Sequence, residues 1–193
     1  MADAALALRS DDSEAHFIKA LLFERKSQWG PAIAEAETAI ADDPNNARAI
    51  AQASFYRMFL GRAEDGVVGQ ETALRLSPHD PMAPIWQVHL CYLENHLAQW
   101  EQAIEWCEKA LANNVKERTE ALAQLALANA WAGHDKEAKE AVAELRKLDP
   151  SFTVRSAAGY HSQSDDPTFD AQSARMVEGL RKAGVPEGPT KTN

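Results

Sequence analysis

A chain of 193 residues with 45% hydrophobic and 25% charged residues has ordinary globular composition, which excludes a disordered segment and a disulfide scaffold. Its 29 Asp+Glu against 20 Lys+Arg give a formal net charge of -9, so the molecule as a whole repels phosphate backbones and nucleic acid is not an expected partner. No stretch approaches ~18 uninterrupted apolar residues, which argues against membrane insertion, and the first eight residues lack the basic start of an export signal.

The chain opens on Ala5-Leu6-Ala7-Leu8-Arg9-Ser10, which echoes Ala73-Leu74-Arg75-Leu76-Ser77-Pro78. Residues 1–9 therefore read as the remnant of a preceding helix, with the native polypeptide continuing upstream. From there the chain keeps a period. Asp43-Pro44 and Ser77-Pro78 lie 34 residues apart, and the same cadence returns at Asn113-Asn114-Val115 and Asp149-Pro150. Ala32, Gly66, Ala103 and Ala138 stand twelve residues before each junction, all small enough to let two antiparallel helices approach closely. Turns at Ser27-Gln28-Trp29-Gly30, Gly61-Arg62, Ala98-Gln99-Trp100 and Gly133-His134-Asp135 split each unit in two. The pattern predicts helices over 13–25 and 31–41, 47–59 and 63–75, 83–96 and 100–112, then 117–131 and 135–147. Lys19 stands at an otherwise apolar packing position, and Gly66 with Gly69 weakens its helix by roughly 1 kcal/mol per glycine. After Pro150, Ser151 to Arg155 reads extended and Ser156 to Pro167 reads as a polar linker. Phe169, Ser173, Met176, Val177 and Leu180 then mark one amphipathic helix over 168–184, a cap on the open end of the array. Residues 185–193 are expected to be a flexible tail.

These residues resemble the tetratricopeptide repeat (TPR) family, whose 34-residue unit combines small residues at the helix crossing, an aromatic near the second helix and a closing proline. The resemblance implies an all-α fold, a right-handed superhelix of about four helix pairs (about 10–43, 44–77, 78–114 and 115–149) plus the C-terminal helix. The run Glu178 to Glu187 also resembles the closing stretch of TPR arrays at the C-terminus of bacterial class III adenylate/guanylate cyclases. That second resemblance implies a regulatory or assembly region of a larger signalling protein and carries over no cyclase chemistry.

Enzyme signatures are missing. Gly61 to Val68 has phosphate-loop glycine spacing without the Lys and Ser/Thr that hold phosphate and magnesium. His89, Cys91, His96 and Cys107 lack compact paired spacing and read as buried helix residues, so no metal and no cofactor is expected. Cys91 and Cys107 read as two buried thiols rather than a bridge, which suits a cytoplasmic protein. Binding is the better prospect, because the TPR resemblance implies that first helices line a concave groove. Phe17, Leu21, Phe55, Met58, Val88, Tyr92 and Leu127, with Arg48 and Asn95 as the polar members, form the expected groove face; Glu14 and Glu24 lie on its rim. Such a stripe suits an apolar peptide or amphipathic helix from a protein partner, a helix of the same chain, or a second copy of it. Trp29 and Trp100 hold matching turn positions and read as packing residues.

Overall fold

The computed structural model describes residues 12–160 and 163–189, so the expected remnant helix at 1–9 and residues 190–193 of the expected tail lie outside the described residues. Eight helices form four antiparallel pairs: α1 (Ser13–Glu24) with α2 (Trp29–Asp42), α3 (Ala47–Arg57) with α4 (Ala63–Leu76), α5 (Ala83–His96) with α6 (Trp100–Ala112), and α7 (Arg118–Ala132) with α8 (Asp135–Leu148). A single 3-10 turn, Met58–Leu60, extends α3. Each second helix packs on the first helix of the next pair, which makes an all-α solenoid.

Local chemistry sets the helix limits. Asp12 and Asn46 accept from the backbone N–H of Ala15 and Ala49 and cap α1 and α3. Helices α2, α4 and α8 stop at Asp43, Ser77 and Asp149, each followed by a proline that drives the preceding residue out of the helical region. Between the helices of each pair, Ser27, Gly61, Ala98 and Gly133 all adopt the left-handed conformation, with φ of 53°, 68°, 60° and 86°. Only two of those four sites carry the glycine that this geometry favours.

Close approach explains the glycines of α4. A Cβ on Gly66 would lie 2.7 Å from the Ser54 carbonyl oxygen, and one on Gly69 would overlap Ser54 Oγ. Lys19, out of place in the repeat, reaches Glu35 on α2 at 2.5 Å, and His16 Nδ1 meets the same carboxylate at 2.7 Å. Burial works to raise the Glu35 pKa, but the hydrogen bonds and charge interactions with Lys19 and His16 outweigh it and hold the carboxyl below its ordinary value.

Three expectations are corrected. Cys91 on α5 and Cys107 on α6 are not two thiols; they form a disulfide inside the third pair, with Cα atoms 5.3 Å apart and both residues fully buried. The two positions are equidistant from Gln99 in the turn, so folding the pair brings them face to face. Residues 154–160, assigned above to an extended segment and linker, form a short helix, α9 (Val154–Tyr160). Residues 185–189 are docked rather than loose: Val185 is buried, the Pro186 and Glu187 carbonyls accept from Val154 and Arg155 N–H, and Arg181 pairs with Glu187 at 2.6 Å.

The last helix, α10 (Pro167–Ala183), is capped by Asp166 and ends at Gly184, φ 93°. Met176, Leu180 and Ala183 bury themselves against Leu122, Ala126, Leu127 and Ala130 of α7. Its first turn reaches the second and third pairs, where Phe169 meets Phe59 and His96 with ring centroids 5.2 and 5.3 Å away. Just upstream, the Gln163 carbonyl accepts from Trp29 Nε1 at 2.6 Å and Ser164 Oγ donates to the Phe59 carbonyl.

Candidate functional site

The first helices α1, α3 and α5 together with the start of the fourth pair enclose a cavity of about 790 Å3, within the size range of ligand sites. Its floor is aromatic. Phe55 on α3 stacks on His89 of α5 (centroids 3.9 Å apart, planes 12° apart) and meets Tyr92 and Phe59 edge-on. Leu21, Met58, Ile85 and Val88 extend the apolar lining, while Trp29, Gln163 and Phe169 close one end. Trp29 itself is stacked flat on Phe59 at 3.8 Å and is buried, as its turn position suggests.

The carboxylates and the arginine of the lining are partly or fully exposed, at its edge. Glu24 accepts from Tyr56 Oη at 2.7 Å and from Gln52 Nε2 at 3.3 Å, which ties the end of α1 to α3. Burial, reinforced by the Glu24 charge, pushes the Tyr56 pKa far above its ordinary value, so the phenol remains a donor. Glu117 and Glu120 stand at the opposite edge, and Arg25 is the one arginine or lysine of the lining. His89 is half-buried; burial pushes its pKa down to about 3, leaving the ring neutral. Among the described residues no cluster of three or more His, Cys, Asp or Glu could hold a metal, and no helix is long and apolar enough to cross a membrane.

Of the groove residues expected from sequence, Leu21, Phe55, Met58, Val88 and Tyr92 line this cavity. The other four are placed elsewhere. Phe17 is half-buried on α1 outside the lining, and Arg48 is exposed and paired with Asp80 at 3.2 Å. Asn95 is fully buried, its Nδ2 donating to Gln124 Oε1 at 3.0 Å across the α5–α7 contact. Leu127 is sealed under α10. Sequence reasoning read His89 as a buried helix residue and not as a groove member, although 85, 88, 89 and 92 share one helical face by their three- and four-residue spacing. The contribution of Phe169 carried no sequence signal, since it depends on where a distant helix docks.

The same helical fold recurs in solved structures. YrrB, described as a TPR protein with an unusual peptide-binding site, superposes with a TM-score of 0.65 at 20% identity, over 94% of this chain and 90% of that one. The fold is that of a TPR solenoid. PilW, a widely conserved type IV pilus biogenesis factor, matches with a TM-score of 0.73 at 16% identity, covering 95% of this chain and 82% of its own. MamA from Desulfovibrio magneticus RS-1 matches with a TM-score of 0.64 at 16% identity, over 90% of this chain and 95% of that one. No family model and no curated protein matches the sequence. Within the TPR fold the cavity lies where successive first helices meet, and α10 covers the neighbouring stretch of that face along α7.

Proposed function

We propose that the protein is a non-enzymatic interaction module that takes an apolar peptide or amphipathic helix of a protein partner into the cavity between its first helices. The observation that carries this reading is the aromatic floor: Phe55, His89 and Tyr92 form a stacked, partly exposed surface in a concavity whose charged groups stand at its edge. An apolar, largely pre-formed concavity with a few polar groups is the usual form of a ligand site. Leu21, Phe55, Met58, Val88 and Tyr92 are the proposed contact residues. The fourth-pair end of the groove already holds the chain's own helix α10, so the external ligand occupies the portion over α3 and α5.

The test uses peptides selected on the intact chain from a random display library. Phe55→Asp and Tyr92→Asp are each expected to weaken capture at least tenfold while the far-ultraviolet dichroism stays helical, because burying a new carboxylate against the ligand costs more than about 1.4 kcal/mol. Unchanged affinity in both folded variants would show that the cavity is not the binding site. A second reading follows from the cyclase-like closing run, in which this region serves a longer chain of its own. The feature that favours it is the docking of residues 185–187 back onto α9, which gives the array a closed edge against which a neighbouring domain could rest.

A further inference from the structure

The groove contains one polar group whose state is dictated from behind. Gln70 on α4 is fully buried, and its Nε2 donates to the Ala51 carbonyl of α3 at 2.7 Å. That contact fixes the orientation of the amide, because a flipped Gln70 would press its oxygen against the Ala51 oxygen. The second hydrogen of the same nitrogen faces His89 Nδ1 at 3.2 Å. An amide nitrogen offers no lone pair, so Nδ1 must accept. The neutral imidazole then carries its proton on Nε2. Among the described residues Nε2 has no hydrogen-bond partner, and it is not one of the buried unpaired atoms, so it remains open where His89 lines the cavity. The stack on Phe55 prevents the ring from turning away.

We propose that His89 Nε2–H is the specificity-determining anchor of the groove, and that it selects an extended apolar peptide by donating to a free backbone carbonyl. This inference rests on the groove reading above. A ligand that laid only carbon over Nε2–H would leave a buried donor unsatisfied. Interior carbonyls of a helix are already taken by the helix's own amides, so a helical ligand brings no acceptor from its main chain. An acidic side chain could accept, but Glu24, Glu117 and Glu120 at the edge oppose its charge. A chain in extended conformation presents unpaired carbonyls, and its apolar side chains rest on Phe55 and Tyr92. The same acidic edge favours Lys or Arg flanking the apolar segment.

Two measurements test the proposal on the intact chain. Long-range 1H–15N spectra of the imidazoles report the tautomer directly: a protonated Nε2 with an unprotonated Nδ1 at His89 is expected, and a proton on Nδ1 overturns the proposal whether or not the groove binds peptides. The second uses peptides selected from the random library whose capture depends on Phe55. Replacing their amides one at a time by esters, which are poorer acceptors, is expected to weaken binding to the wild-type protein roughly fivefold to thirtyfold at a single position. The same ester is expected to have no effect on His89→Phe, which keeps the ring stack and removes the donor. Selected peptides that bind as helices, or an ester penalty that persists in His89→Phe, would leave the groove reading standing and remove the anchor. Peptides indifferent to Phe55→Asp would remove both. Should His89→Phe fail to fold, the spectra and the wild-type ester scan still decide.

Discussion

Ala98 occupies a position where its side chain is a burden. The turn between α5 and α6 requires φ of 60° there, and the equivalent sites in the second and fourth pairs hold Gly61 and Gly133. A left-handed backbone costs an L-residue about 1–2 kcal/mol, of which the greater unfolded-state freedom of glycine takes back a part. Ala98→Gly is therefore expected to raise stability by about 0.5–1 kcal/mol, seen as a higher urea midpoint with an unchanged slope. Gly66→Ala should do the reverse and cost about 1–3 kcal/mol, because its new Cβ meets the Ser54 carbonyl at 2.7 Å and backbone does not yield easily. His89 contributes a pH dependence. Its folded pKa of about 3 lies below the ordinary 6.5, so between those values the unfolded chain binds a proton that the folded one refuses. Its share of stability is complete above about pH 6.5 and is lost as the pH falls toward about 3. Urea unfolding across that window should show the wild type losing more stability on acidification than His89→Phe.

At the scale of helices, the third pair is set apart by its covalent link. A bridge spanning 16 residues removes loop freedom from the unfolded chain worth about 3 kcal/mol, so Cys91→Ala with Cys107→Ala is expected to lower stability by about 2–4 kcal/mol, measured by calorimetry against the untreated protein. The argument from unpaired thiols to a cytoplasmic address falls with the bridge. Sequence periodicity could reach the paired helices because each is written locally: a capping side chain, a small residue at the crossing, a proline after the last turn. It could not reach the bridge from residue types alone, though the symmetry of 91 and 107 about Gln99 held the clue. Nor could it place α10. The apolar spacing of Phe169, Met176 and Leu180 marked a helix, but the surface that receives it is assembled from α7, the end of α5 and the 3-10 turn. For the groove, the lining members were legible where a residue's face follows from its own helix, as with Phe55, Val88 and Tyr92. Leu127 and Asn95 share that face in sequence and are removed from it by partners more than twenty residues away. Phe169→Ala, which empties a fully buried site between the second and third pairs, is expected to cost about 3–5 kcal/mol.

For the molecule as a whole, an ordinary solenoid is held together by contacts between neighbouring units only, and its ends fray independently. This one is tied across its length. Trp29 in the first pair and Phe59 in the second are hydrogen-bonded to Gln163 and Ser164, and Phe169 is wedged between the second and third. Thermal unfolding of the intact chain is accordingly expected as one transition, with amides of α1 to α3 and of α7 sharing a common exchange rate; separate transitions for the two halves would contradict that coupling. The order of synthesis gives this tie a further meaning. The four pairs leave the ribosome able to close and to stack on their neighbours, yet the segment that ties the first and second pairs to the last helix is made after all four. Until the segment after residue 163 emerges, the array lacks this brace, and the aromatic floor of the groove is open at the end that Phe169 and Gln163 later close.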